Sequence, residues 1–73
     1  MKEIYYVIVD LYNLAYMNDG SPVKLKDADK FETLEEAQKD LAKYDEDFDG
    51  EIYKIEETVY RTIKRASDVN ENI

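Results

Sequence analysis

The chain has 73 residues, a net charge of −8 from 18 acidic and 10 basic side chains, and neither cysteine nor histidine. That length sets a single domain with a small core. The absent residue types exclude disulfides, thiolate metal sites and the Ser-His-Asp or Cys-His groupings of nucleophilic catalysis. With only Gly20 and Gly50, no glycine-rich phosphate loop exists either, so the chain reads as a binding domain and not an enzyme.

A cysteine-free domain of this size fits a reducing cytoplasm, since small secreted domains are usually stapled by disulfides. The first apolar stretch ends at Asp10, which is too short for a membrane span and lacks the cleavage pattern of a leader. Residues 4–14, IYYVIVDLYNL, are rich in strand-favouring types. Ile4, Tyr6 and Ile8 alternate with Tyr5, Val7, Val9 and Leu11, so both faces are apolar and the strand is expected at the sheet centre.

Asn18, Asp19, Gly20, Ser21 and Pro22 form a turn signal, and Asp-Gly favours the positive φ of a tight hairpin. Residues 23–26 are expected to return as a short edge strand, with Lys24 and Lys26 alternating with Val23 and Leu25. Thr33 and Glu36 make a T-x-x-E capping box that opens a helix. Leu34, Ala37, Leu41, Tyr44 and Phe48 then form one apolar stripe, which predicts a helix running to Phe48 with Gly50 as its C-terminal cap. In residues 51–65, Tyr53, Ile55, Val59 and Ile63 share a strand face on which Glu57 is the misfit. Ile55, Val59 and Ile63 also fall four apart, which a helix would permit, and the Tyr, Thr, Val and Ile content favours the strand. The expected architecture is α+β in the order β(β)αβ: a short, mainly antiparallel sheet with one helix packed on it. Residues 1–65 form the domain and residues 66–73 a frayed polar tail.

The charge is uneven. Residues 27–57 hold thirteen acids and four lysines, whereas the rest of the chain holds five acids and six bases. An acidic segment disfavours direct contact with nucleic acid and calls for a basic protein surface or a divalent cation. In a helix reaching Phe48, Asp45, Glu46, Asp47 and Asp49 would crowd the negative end of the helix dipole, each at a cost of about 0.3–1 kcal/mol. A basic partner would relieve that repulsion, so Asp40, Asp45, Glu46, Asp47, Asp49 and Glu51 are the candidate recognition acids. If the segment is instead extended, alternate acids fall about 6.6 Å apart, a spacing suited to mimicry of a nucleic-acid backbone. A plainer alternative makes the acids a solvated surface of a structural homo-oligomer.

Residues 45–56, DEDFDGEIYKIE, also resemble an EF-hand calcium loop, with acids at loop positions one, three and five, glycine at six and glutamate at twelve. That resemblance implies calcium held by Asp45, Asp47, Asp49, Glu51 through its carbonyl, and Glu56. Phe48, Tyr53 and Glu57 depart from the pattern, and no second loop exists to pair with it. The runs FETLEEA at residues 31–37 and EIYKIEE at residues 51–57 resemble small accessory proteins of bacteriophages and Gram-positive bacteria. This second resemblance implies a strand or hairpin, a helix and a closing strand, with kinship to acidic phage inhibitors such as anti-CRISPR proteins and other nucleic-acid mimics. It carries over no functional residue.

Of the seven tyrosines, Tyr6, Tyr44 and Tyr53 are expected in the core, while Tyr12, Tyr16 and Tyr60 are candidate exposed anchors for a partner. Arg61, Lys64 and Arg65 form a basic cluster expected to pair with the acidic segment of a second copy in a homodimer.

Overall fold

The computed structural model describes residues 2–58 and 61–68. Its order is β1 (Glu3–Asp10), β2 (Ala15–Asn18), β3 (Ser21–Val23), a 3-10 turn (Leu25–Asp27), α1 (Leu34–Leu41), β4 (Gly50–Glu57), β5 (Arg61–Arg65) and a second 3-10 turn (Ala66–Asp68). The strands form one antiparallel sheet in the order β3-β2-β1-β4-β5. This is an α+β fold. Among the described residues, no helix is long and apolar enough to cross a membrane.

The central position expected for the first strand is observed, because both of its faces are apolar and both are covered. On one face Ile8, Met17 and Ile52 pack against Ala37 of α1, with Tyr6, Phe31, Leu34, Leu41, Tyr44 and Phe48 around them. On the other, Tyr5, Val7, Val9 and Ile55 pack against Leu25 and Ala28, flanked by Leu11, Tyr16, Val23 and Tyr53. Val7, Ile8 and Ile55 are fully buried, and each such side chain contributes about 1.5–3 kcal/mol of transfer free energy.

Three local expectations in the first part of the chain are corrected. The first strand stops at Asp10 and turns back at residues 11–14, which makes β1 and β2 a hairpin in place of one long strand. The Asp-Gly turn is a hairpin turn as expected, with φ of +47° at Asp19 and +84° at Gly20, but it joins β2 to β3. The return strand is Ser21–Val23, and Leu25 lies in a 3-10 turn that carries it onto the sheet. Pro22 is tolerated because β3 is an edge strand.

The largest correction concerns the helix. Thr33 caps it as expected, its Oγ1 accepting from Glu36 N at 3.1 Å, but α1 ends at Leu41. The chain then tightens through Lys43 N to Asp40 O and Tyr44 N to Leu41 O, both 3.1 Å, and turns again from Asp45 to Phe48. Ending there removes residues 45–49 from the negative pole and avoids stacking Asp45 on Asp49 at i,i+4. Tyr44 and Phe48 still reach the core, with ring centroids 4.3 Å apart. Gly50 begins β4 and caps no helix.

Residues 51–65 are not one strand but an antiparallel pair, β4 with β5, with Ile55 opposite Ile63 and Glu57 opposite Arg61. Glu57 is no misfit. Its Oε1 accepts from Tyr5 Oη at 2.5 Å and pairs with Arg61 Nε at 3.1 Å. Ala66 packs on the helix side of the core, while residues 69–73 of the expected tail, and Val59, lie outside the described residues.

Candidate functional site: an acidic end with an apolar tip

One end of the sheet gathers most of the candidate residues. Asp10, at the end of β1, is 7% exposed. Its Oδ1 accepts from the backbone N–H groups of Tyr12 (2.9 Å) and Asn13 (3.2 Å), and its Oδ2 accepts from Asn13 Nδ2 at 2.6 Å. The Asn13 side chain, with the two backbone donors, holds the Asp10 carboxyl below the usual carboxylate range against the opposing effect of desolvation. This arrangement shapes residues 11–14, where Leu14 sits at a φ of +55°. The turn leaves Tyr12 86% and Leu14 84% exposed. The buried, hydrogen-bonded Asp10 carboxylate thus pins the backbone of a turn from which Tyr12 and Leu14 stand outward, and a pinned backbone lowers the ordering cost of binding.

The acidic turn lies against this tip. Leu11 N donates to Asp49 O at 2.8 Å, which extends the β1–β4 pairing by one rung. Asp45, Glu46, Asp47 and Asp49 are all exposed, and among the described residues none of them has an ion-pair partner. Asp40 is half-buried and has Lys43 Nζ at 3.7 Å. Burial raises the Tyr44 hydroxyl above its ordinary value, against the opposing effect of a hydrogen bond with the Gly20 backbone, and the carboxylates of Asp40, Asp29 and Asp19 add to the rise. Asp19 and Asp29 are linked to each other, Asp19 N donating to Asp29 Oδ2 at 2.9 Å.

Several expected site residues are not there. Glu51 lies on β4 with Arg65 Nε 2.7 Å from its Oε2, an ionic approach without hydrogen-bond alignment, so its charge is already matched. Tyr16 is half-buried beside Val9 and Leu25 and is no exposed anchor. Tyr60 lies outside the described residues. Arg61 and Arg65, expected to meet another copy's acids, pair with Glu57 and Glu51 of their own chain.

The EF-hand geometry does not form. Asp45, Asp47 and Asp49 are on an exposed turn, whereas Glu51 and Glu56 are on β4 and project to opposite sheet faces. Glu56 meets Lys2 at 3.0 Å and Lys54 at 4.0 Å. The hydrogen bond from Lys2, with the surrounding lysines, holds its carboxyl below the ordinary value. Among the described residues, no three acids gather to hold a cation.

Asp10 and Leu14 are the residues that sequence reasoning missed. The available signal was Asp10 followed by Asn13, a pair suited to an Asx-type turn, inside a run whose apolar content favoured one continuous strand. The molecule is thus polar in charge. An unmatched acidic end carries Tyr12 and Leu14, and at the β4–β5 edge Lys2, Arg61 and Arg65 neutralise Glu56, Glu57 and Glu51. Comparison with known protein families, characterised proteins and solved structures finds no match to this chain.

Proposed function

We propose that this chain is a protein-binding domain that docks its acidic end on a basic surface of another protein, with Tyr12 and Leu14 as apolar anchors. The observation that carries this reading is the Leu11 N to Asp49 O bond, which sets the exposed turn of residues 11–14 beside the unpaired acids of residues 45–49. An exposed apolar tip with like charges beside it suits a binding surface in which the anchors supply affinity and the charges supply rate and register. A surface that normally holds a phosphate backbone has the complementary chemistry, and an acidic domain seated there acts as an inhibitor or adaptor. Because residues 45–49 form a turn, the resemblance to nucleic acid rests on charge density and not on a regular 6.6 Å repeat. No catalytic role is needed for this function.

The test is capture of partners from the native host with three immobilised proteins: the unaltered chain, D45K/D47K/D49K and Y12S/L14S. A partner held by the unaltered chain, released by added DNA and lost with both variants supports the reading. Equal capture by all three, or binding that strengthens as salt is raised, overturns it.

A further inference from the structure

The β5 edge of the sheet presents a second surface of different chemistry. Strand β5 is the outer strand of the described sheet, and all five of its residues are exposed. An outer strand keeps one row of backbone N–H and C=O groups unpaired and so forms a template for another strand. The side chains on this edge are specific. Across the face away from the helix, Tyr5, Ile55 and Ile63 form one cross-strand row, Glu57 and Arg61 the row on one side, and Tyr53 and Arg65 the row on the other. Ile55 is fully buried, but Ile63, the last member of the apolar row, is 40% exposed. A strand added outside β5 would meet Arg61, Ile63 and Arg65 at alternate positions on that face, and Lys64 on the other.

We propose that β5 is a docking edge for an extended acidic segment of another protein, with the pattern acid-x-apolar-x-acid. The apolar residue would extend the Tyr5–Ile55–Ile63 row, and the two acids would meet Arg61 and Arg65. Each arginine makes its internal pair at Nε, and a guanidinium has four further N–H donors for an incoming carboxylate. Charge selects the occupant. An antiparallel β5–β5 pair centred on Ile63 would set Arg61 against Arg65 of the second copy, which disfavours a second copy in that register relative to an acidic strand. This chain does not supply the segment either: its one acid-x-apolar-x-acid stretch is Glu32, Leu34 and Glu36, and that stretch is committed to the start of α1.

The experiment uses the whole chain and a fluorescent peptide centred on Glu-Thr-Val-Thr-Glu, a palindrome that suits either strand direction, read by anisotropy. The expected result is saturable binding that weakens with salt and falls about tenfold or more when the glutamates are replaced by lysine. Of two peptides N-methylated at alternate amides, one should lose binding, because an edge strand bonds every second residue of its neighbour. These changes are made in the peptide, so the fold of the protein is untouched. K64E, with its fold checked by circular dichroism, should also weaken binding. Absence of saturable binding, both methylated peptides binding like the parent, or equal competition by a single-stranded oligonucleotide would each overturn the proposal.

Discussion

The Phe48 ring lies across Gly50 so closely that a β-carbon on Gly50 would stand 2.7 Å from Phe48 Cδ2 and 3.0 Å from Cζ. The glycine is required here by close approach and not by a left-handed backbone. Phe48 also stacks on Tyr44 at 4.3 Å, so the ring cannot swing away without leaving the core. Gly50→Ala should therefore destabilise the protein by about 1–3 kcal/mol, the usual cost of overpacking. Urea denaturation of Gly50→Ala, Phe48→Leu and the double variant checks this. The double variant should be more stable than the sum of the two single effects, and strict additivity would mean that ring and glycine do not conflict.

Asp10 governs the apolar tip through charge-assisted hydrogen bonds. Its carboxyl titrates below its unfolded value, chiefly because Asn13 donates to it. The stabilisation is therefore complete above the ordinary aspartate range and is lost as the pH falls through the lowered value. Asp10→Asn sets an amide donor or an uncharged acceptor against Asn13 Nδ2 and should lower the melting temperature at pH 7. The gap between variant and parent should close in strong acid. A gap independent of pH would assign the effect to packing.

The Tyr5–Glu57 pair gives the opposite limb. Burial first, then the hydrogen bond to Glu57, push the Tyr5 hydroxyl from its ordinary 10.0 up to about 12. The same bond, aided by Arg61, holds Glu57 below its ordinary value. The unfolded chain gives up the Tyr5 proton before the folded one does. Stability is thus fully present below the unfolded value of 10.0 and falls as the pH rises from there towards about 12. Tyr5→Phe should flatten that alkaline loss, as measured by denaturant midpoints across the interval. An unchanged alkaline slope in the variant would remove Tyr5 as its source.

The cap of α1 is a simpler case. Thr33 Oγ1 accepts from Glu36 N at 3.1 Å and donates to Glu36 Oε1 at 3.2 Å, so the one hydroxyl is bonded to both the backbone and the side chain of Glu36. Thr33→Ala should cost about 0.5–2 kcal/mol, with Thr33→Ser recovering most of it. Equal stability of the alanine variant would mean that packing of Leu34 and Ala37 alone fixes the start of the helix.

Surface substitutions at the acidic end should behave differently. Asp45, Asp47 and Asp49 are exposed and unpaired among the described residues, so D45K/D47K/D49K should change stability by no more than about 0.5 kcal/mol per site. A loss of several kcal/mol in calorimetry would show that the turn depends on those carboxylates.

The sequence by itself determined what depends on neighbours a few residues apart. The doubly apolar pattern of residues 4–9 placed β1 in the centre, Thr33 and Glu36 started the helix, Asp19-Gly20 made a hairpin turn, and the alternation at Tyr53 and Ile55 marked β4. Only the tertiary structure decided where those elements stop and what meets across them. The stripe ending at Phe48 satisfies a helix and a pair of turns equally well, because both deliver Tyr44 and Phe48 to the same core. In the folded chain the helix ends at Leu41, residues 45–49 turn away from its negative pole, and Phe48 closes over Gly50 at the start of β4. In the same way, Asp10 and Leu14 became parts of a tip, and Glu51, Glu56 and Glu57 are matched by Arg65, Lys2 and Arg61, residues remote or unpatterned in the sequence. Cross-strand pairing is set by register between distant segments, and a periodicity along one segment carries no record of it.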